Sequence, residues 1–251
     1  MKKISASLFI ATLMLSISVG AMAQKRILQV VKNGQVVLSE LASDIDYITV
    51  ISDYVDLGLP SGVKWASCNL GAETPEEYGD LFGWGCTKPY KSSEEVKWPL
   101  YFEKIGGSGS KAADCGISSD PLNSYVNDKV CIAGTKWDAA RSNLVGSWRM
   151  PTKEEFQELI DYCDWTWTTV NGIYGYKVVS KDNSDKYIFL PAAGYHEGSE
   201  LLNQDSRGNY WTSTPYEENA FDTYRLFFDN SSPSMGHARR DYGRSIRPVT
   251  D

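Results

Sequence analysis

Hydrophobic and polar positions change their period several times along this chain. Arg26 to Val31 and Gln35 to Leu38 are short strand patterns either side of Lys32-Asn33-Gly34, where the Asn-Gly step suits a tight hairpin turn. An isolated hairpin is marginal in water, so this one must dock on the main body or on a partner. Ser43 to Tyr47 reads as a turn into a strand at Ile48 to Val50, and Ile51 to Tyr54 leads into the main domain. Asp56 to Gly62 is turn-rich. Val63 to Ala66 alternates as a half-buried strand does, with Val63 and Trp65 sharing a face. Lys88 to Asn127 has little periodicity and contains the flexible tract Gly106 to Ser110. So long a stretch without elements suits a functional or mobile loop.

A helical period enters at the segment Trp148 to Trp167. Thr152 with Glu155 three residues later forms a capping box, in which each side chain can bond the other residue's backbone N–H. Phe156, Leu159, Ile160 and Cys163 then fall at i, i+3, i+4 and i+7, one apolar stripe, with Glu154, Gln157, Glu158 and Asp161 facing elsewhere. Trp148 before the cap and Trp165 and Trp167 beyond the stripe predict that large rings pin both ends. A shorter helix is expected at Thr135 to Arg141. The period then returns to two: Tyr174 to Ser180 and Lys186 to Leu190 form a second hairpin about the turn Lys181 to Asp185. Further strands are expected at Tyr210 to Thr214, Tyr224 to Phe228 and Ser245 to Val249. Alternation sends Tyr210 and Trp211 to opposite faces, so one of them is expected in the core, and Trp211 is the choice. Helices early and antiparallel strands late predict an α+β domain.

The N-terminus changes the picture of where this domain works. Lys2 and Lys3, an apolar run from Leu8 to Val19 and the small-x-small site Ala21-Met22-Ala23 read as a signal peptide over residues 1–23. The run is short of the ~20 residues a spanning helix needs, so no membrane insertion is expected after cleavage. Residues 24–54 then form the hairpin appendage and linker, and residues 55–251 the main domain. The exported protein is expected in the periplasm, at the cell surface or secreted. Loss of Lys2 and Lys3 takes the formal charge from −7 to −9, which suits neither nucleic acid nor an anionic bilayer. The five cysteines, Cys68, Cys86, Cys115, Cys131 and Cys163, show no C-x-x-C spacing. Cys68 with Cys163 is the candidate disulfide, against the equal alternative of buried free thiols.

Five separated segments carry a family resemblance: Asp56 to Leu59 with Val63 to Leu70, Trp148 to Phe156, Phe189 to Tyr195, Tyr210 to Thr214 and Gly243 to Val249. In that order they resemble the Fibrobacter succinogenes major paralogous domain, a family of exported bacterial proteins, over roughly Val55 to Asp251. The resemblance implies a fold related to formylglycine-generating enzymes and C-type-lectin-like domains: a loop-rich, twisted antiparallel sheet with one or two packed helices. Arg149 to Thr152 and Arg247 would take the places of the family's helix-opening segment and C-terminal arginine. Trp148, Arg149, Thr152, Glu155, Trp211 and Arg247 are therefore assigned to the scaffold. The relatives' chemistry does not transfer, because no cysteine follows Cys163 to hold copper and His196 and His237 are too far apart in sequence to form a histidine cluster.

No zinc, phosphate-loop or dinucleotide motif is present, nor a nucleophile elbow for a Ser-His arrangement. Calcium held by Asp205, Asn209, Glu217, Glu218, Asn219 or Asp222 is outweighed by solvated loop polarity. No cofactor or metal is expected. Loop-borne aromatic residues give the route to binding: Tyr195, His196 and Tyr216 could stack on a sugar while Asn203, Asp205 and Arg207 supply directional hydrogen bonds, with Tyr195 and His196 expected to be exposed. Arg239, Arg240, Arg244 and Arg247 read either as a patch for a carboxylate or sulfate or as internally paired residues. The internal reading is favoured for Arg247, on a core carboxylate, and for Arg149. Together these readings predict a non-catalytic binding or adhesion module for glycan or a cell-surface protein. The alternatives are a structural component docking through its N-terminal hairpin and a polysaccharide-acting enzyme of unrecognised type.

Overall fold

The computed structural model describes residues 54–89, 130–198, 200–218 and 222–251, together with the backbone of two strands within 27–41. The chain divides into two compact units, Met1–Ser52 and Asp53–Asp251. In the first, β1 (Ile27–Lys32) and β2 (Gln35–Leu41) form an antiparallel hairpin, with Lys32 opposite Gln35 and Ile27 opposite Leu41. The signal segment, the strand expected at Ile48 to Val50 and the tract Gly106 to Ser110 lie outside the described residues.

The second unit is mixed α+β, built mostly of small antiparallel sheets rather than a barrel. β3 (Tyr54–Val55), β4 (Lys64–Ala66) and β13 (Val249–Thr250) form one sheet with β4 in the middle. β5 (Cys163–Val170), β6 (Ile173–Ser180) and β7 (Tyr187–Pro191) form a meander. β8 (Tyr195–Glu197) pairs with β9 (Glu200–Leu202). A second meander comprises β10 (Gly208–Pro215), β11 (Asp222–Phe228) and β12 (Pro233–Arg239). Among the described residues two helices accompany them, α1 (Ala139–Asn143) and α2 (Lys153–Tyr162), and α2 packs against β5 and the β10–β12 sheet. Among the described residues, no helix is long and apolar enough to cross a membrane.

α2 starts as the sequence predicts. Thr152 Oγ1 accepts from the Glu155 N–H at 3.2 Å, and Glu155 Oε2 accepts from the Thr152 N–H at 2.7 Å. The Glu155 carboxylate also takes two donors from Arg149, Nη1 at 2.9 Å and Nη2 at 2.7 Å, and Arg149 reaches Asp251 at 2.8 Å. These hydrogen bonds, Glu155's first, hold the Arg149 guanidinium well above its usual range. The helix entry and the C-terminus are thus fastened by one half-buried cation.

The stripe finds its partners. Phe156 and Leu159 are fully buried, and the Phe156 ring lies 5.1 Å from Trp65 and 6.4 Å from Tyr210. Tyr210 stacks on Phe228 at 5.8 Å, and Tyr176 meets Phe228 edge-on at 5.3 Å, so helix and both meanders share one aromatic core. Gly208 is needed beneath that stack, because a Cβ there would stand 1.9 Å from the Phe228 ring. At the far end of α2, Trp165 Nε1 donates to the Leu159 carbonyl at 2.8 Å, so the predicted ring does close the helix. It does so from a strand that the helical pattern concealed: β5 begins at Cys163, the last residue of the stripe and also the helix C-cap.

Several expectations need correction. Cys68 and Cys163 are free buried thiols, and among the described residues it is Cys86 that is disulfide-bonded. Cys163 is enclosed in the apolar core, and burial pushes its thiol up to about 11, whereas Cys68 lies beside Ser67 with its sulfur 3.4 Å from that hydroxyl. Tyr210 and Trp211 are both fully buried. They do point to opposite faces, but the segment Leu81 to Cys86 covers the second face and the Phe82 carbonyl accepts the Trp211 indole N–H at 2.7 Å. The strand expected at Ser245 to Val249 shortens to β13, since Pro248 has no N–H to complete a ladder. Ser245 forms an isolated parallel bridge with Tyr210 instead.

Two outcomes test this account. Glu155→Ala removes half of the capping box and leaves a half-buried guanidinium short of its main partner, so it should cost about 3 kcal/mol or more in urea unfolding, against about 1 kcal/mol for Thr152→Ala; equal costs would contradict the shared role. Thiol labelling of the native protein followed by mass spectrometry should modify half-buried Cys131 well before Cys68 and Cys163, with all three reacting after denaturation.

Candidate binding site

β10 and β11 pair with Asn209 opposite Phe227 and Trp211 opposite Arg225. Directly opposed residues share a face, so Asn209, Trp211, Arg225 and Phe227 stand on the side of this sheet away from Tyr210 and Leu226. On β12 the residue opposite Arg225 is Gly236, above which a Cβ would meet nothing within 4 Å. The missing side chain leaves open space over the sheet. β8 and the loop Asp241 to Arg244 close this space on the other side. They are joined where the His196 N–H donates to Gly243 O at 2.8 Å and the Gly243 N–H donates back at 3.0 Å. Gly194 makes the turn into β8 with φ +71°, its N–H on Arg207 O at 2.8 Å; a Cβ there would lie 2.3 Å from the Leu202 carbonyl.

The result is a cavity of about 320 Å³. Its deepest residues are Asn209 and Arg244, 2 % and 3 % exposed, with Arg225 half-buried beside them. Phe227, Tyr195 and Tyr242 form aromatic walls, the two tyrosines stacked at 5.8 Å. Arg207, His237 and Arg239 stand at the exposed rim.

The charge of this cavity is unbalanced. Asn209 Oδ1 accepts from both Arg225 Nη1, at 3.0 Å, and Arg244 Nη1. Guanidiniums only donate, which fixes the amide oxygen toward them and leaves Nδ2 as a further donor. Among the described residues, Asn209 Nδ2, Arg225 Nε and Arg244 Nε are buried without an acceptor. Burial pushes Arg225 down to about 10, with Arg207 adding to it, and Arg244 down to about 9, with Arg225 adding to it, so both stay charged at neutral pH. Ring faces supply part of the missing compensation: Arg244 lies 4.8 Å from Trp211, 5.0 Å from Tyr195 and 5.4 Å from Tyr242. The carboxylates nearby are otherwise engaged, Asp241 with Arg239 at 2.7 Å and Asp222 with His237 at 2.9 Å.

Of the residues proposed from sequence, the cavity gathers Tyr195, Arg207 and Arg239. His196 is buried rather than exposed, because its backbone is tied to Gly243, and burial lowers its affinity for a proton. Arg240 is also fully buried, its guanidinium 5.6 Å from the Trp84 ring and its carbonyl accepting the Trp84 N–H at 2.9 Å. Asn203 and Asp205 are exposed in left-handed turn conformations outside the lining, and Asp205 accepts from the Tyr78 hydroxyl. Tyr216 stacks on His237 at 4.0 Å without lining the cavity. Arg247 is internal, but among the described residues its partners are Asn69 Oδ1 at 2.9 Å and the carbonyls of Ala66, Ser67 and Phe189, with no carboxylate. Arg225, Phe227 and Tyr242 were not anticipated. The signal was the alternation Thr223, Arg225, Phe227 against Tyr224, Leu226, Phe228, which puts a cation and a ring together on the face away from the aromatic core. Among the described residues, no group of His, Cys, Asp and Glu could hold a metal ion.

Comparison with known proteins adds one finding. Residues 178–249 match the model of a family described as Domain of unknown function (DUF8237), and the match takes in every residue that lines the cavity. No curated protein and no solved structure matches the chain. Over that C-terminal stretch, the chain is similar to a family whose description carries no activity.

Proposed function

We propose that this chain is an exported, non-catalytic binding or adhesion module that recognises glycan at the cavity between β8, the β10–β12 sheet and Tyr242. The observation that carries the reading is the cavity itself: aromatic walls and buried, unsatisfied donors held on a rigid sheet, as small-ligand sites require. Export is supported by the N-terminal signal pattern and by the disulfide at Cys86, a bond that persists in oxidising compartments. A C-type-lectin-like fold of the Fibrobacter succinogenes major paralogous type is the finer reading of the α+β architecture. Its support is the order of the five segments, two of which supply the α2 capping box and the Arg247 hydrogen bonds. Glycan-array screening of the chain beginning at Gln24, the expected mature terminus, should give calcium-independent binding that Tyr195→Ala weakens by roughly tenfold. Failure to bind any glycan removes the reading.

A second reading rests on the rim pair, in which Asp222 holds His237 Nδ1 at 2.9 Å. An oriented imidazole beside a ligand cavity suits general acid–base work on a polysaccharide. Release of new reducing ends that stops on His237→Ala would select this reading; absence of turnover alongside binding would leave the binding module.

A further inference from the structure

We infer that the cavity is an anion seat, taking a carboxylate or sulfate group carried by a saccharide between the guanidiniums of Arg225 and Arg244. This rests on the binding-module reading and names the chemistry of the ligand.

Two other arginines, Arg149 and Arg247, show what satisfaction looks like. Arg149 is neutralised by Glu155 and Asp251, and Arg247 donates to an amide oxygen and three carbonyls. Arg225 and Arg244 have neither arrangement. Their one shared acceptor is the neutral Asn209 oxygen, and each keeps a buried Nε donor unmatched among the described residues. Two desolvated like charges side by side cost stability unless a counter-charge arrives, and the Trp211, Tyr195 and Tyr242 rings offset only part of that cost. An anionic oxygen group corrects the imbalance at once. It accepts from both guanidiniums, which hold it through charge-assisted hydrogen bonds.

Size and shape point to the carrier. About 320 Å³ lies at the low end of ligand cavities, suited to one ring bearing a charged substituent. An extended peptide needs a groove or a free strand edge along its length, and β11, the strand that carries Arg225, is paired on both sides. Tyr195, Tyr242 and Phe227 give the lining an aromatic side against which the C–H surface of a sugar can rest, while exposed Arg207 draws acidic chains to the rim.

The test is calorimetric titration of the full chain with a uronic-acid oligosaccharide, its sulfated counterpart, its neutral counterpart and an acidic peptide, each at low and high salt. The inference expects one or both acidic saccharides to bind at least about tenfold more tightly than the neutral one, with affinity falling as salt rises. The stronger of the two names the anion. Arg244→Gln should abolish that preference. Because Arg244 is so deeply buried that its loss could unfold the domain, half-buried Arg225→Gln, checked for an unchanged melting temperature, should by itself lower acidic-saccharide affinity by about tenfold. Equal binding of neutral and acidic saccharides, unaffected by Arg225→Gln, overturns the anion seat and leaves the binding module standing. Binding of the peptide alone overturns the choice of saccharide. No binding by any of the four ligands overturns both.

Discussion

A buried polar knot holds the second unit together. Arg247 Nε donates to Asn69 Oδ1, Asn69 Nδ2 donates to the Tyr210 hydroxyl at 3.2 Å, and that hydroxyl donates to Pro191 O at 2.7 Å. Through the carbonyls of Ala66 and Phe189, the same arginine bonds β4 and β7. One side chain near the C-terminus thus joins strands that neighbour it nowhere in sequence. Burial opposes its charge and pushes the Tyr210 hydroxyl up to about 12, yet every partner in the knot is paired, which is the condition under which buried polarity specifies one arrangement of elements. Three small sheets, none large enough to enclose a core alone, are locked into one mutual arrangement.

The cavity inherits its geometry from this knot. Tyr210 and Ser245 form a parallel bridge, with the Ser245 N–H on Asn209 O at 3.1 Å and the Trp211 N–H on Ser245 O at 2.9 Å. Asn209 and Arg244 are the immediate neighbours of those bridged residues. Tyr210 and Arg247 face inward into a saturated network, while Asn209 and Arg244 face a space with donors to spare. The contrast follows from carbonyl supply. Irregular backbone around Ala66 to Asn69 turns its oxygens toward Arg247, whereas paired strands around Arg225 spend theirs on ladders.

What the sequence disclosed followed the range of the interactions. The α2 cap, stripe and terminal ring depend on residues within about one turn of each other, so their spacing is written locally. β5 was concealed because Cys163 satisfies the helical period and the strand period together. β12 was concealed because Pro233, Met235 and Gly236 have little strand preference, and the strand exists through backbone pairing with β11. Trp211 was expected to be buried, but the segment that covers it, Leu81 to Cys86, and the contacts that bury His196 and Arg240 are far away in sequence, and no local pattern records them. The site was legible in kind, as arginine and tyrosine in the C-terminal third. It was not legible in membership, since that required the register of β10 on β11.

The junction at Cys163 has a consequence for how this fold can vary. α2 passes into β5 with no intervening loop, so a residue added there would turn Trp165 and Trp167 from Tyr176 and Phe228 to the opposite face of the sheet. Length changes in related chains should therefore avoid this joint and accumulate at exposed turns such as Asn183 to Asp185, where no packed ring depends on the count.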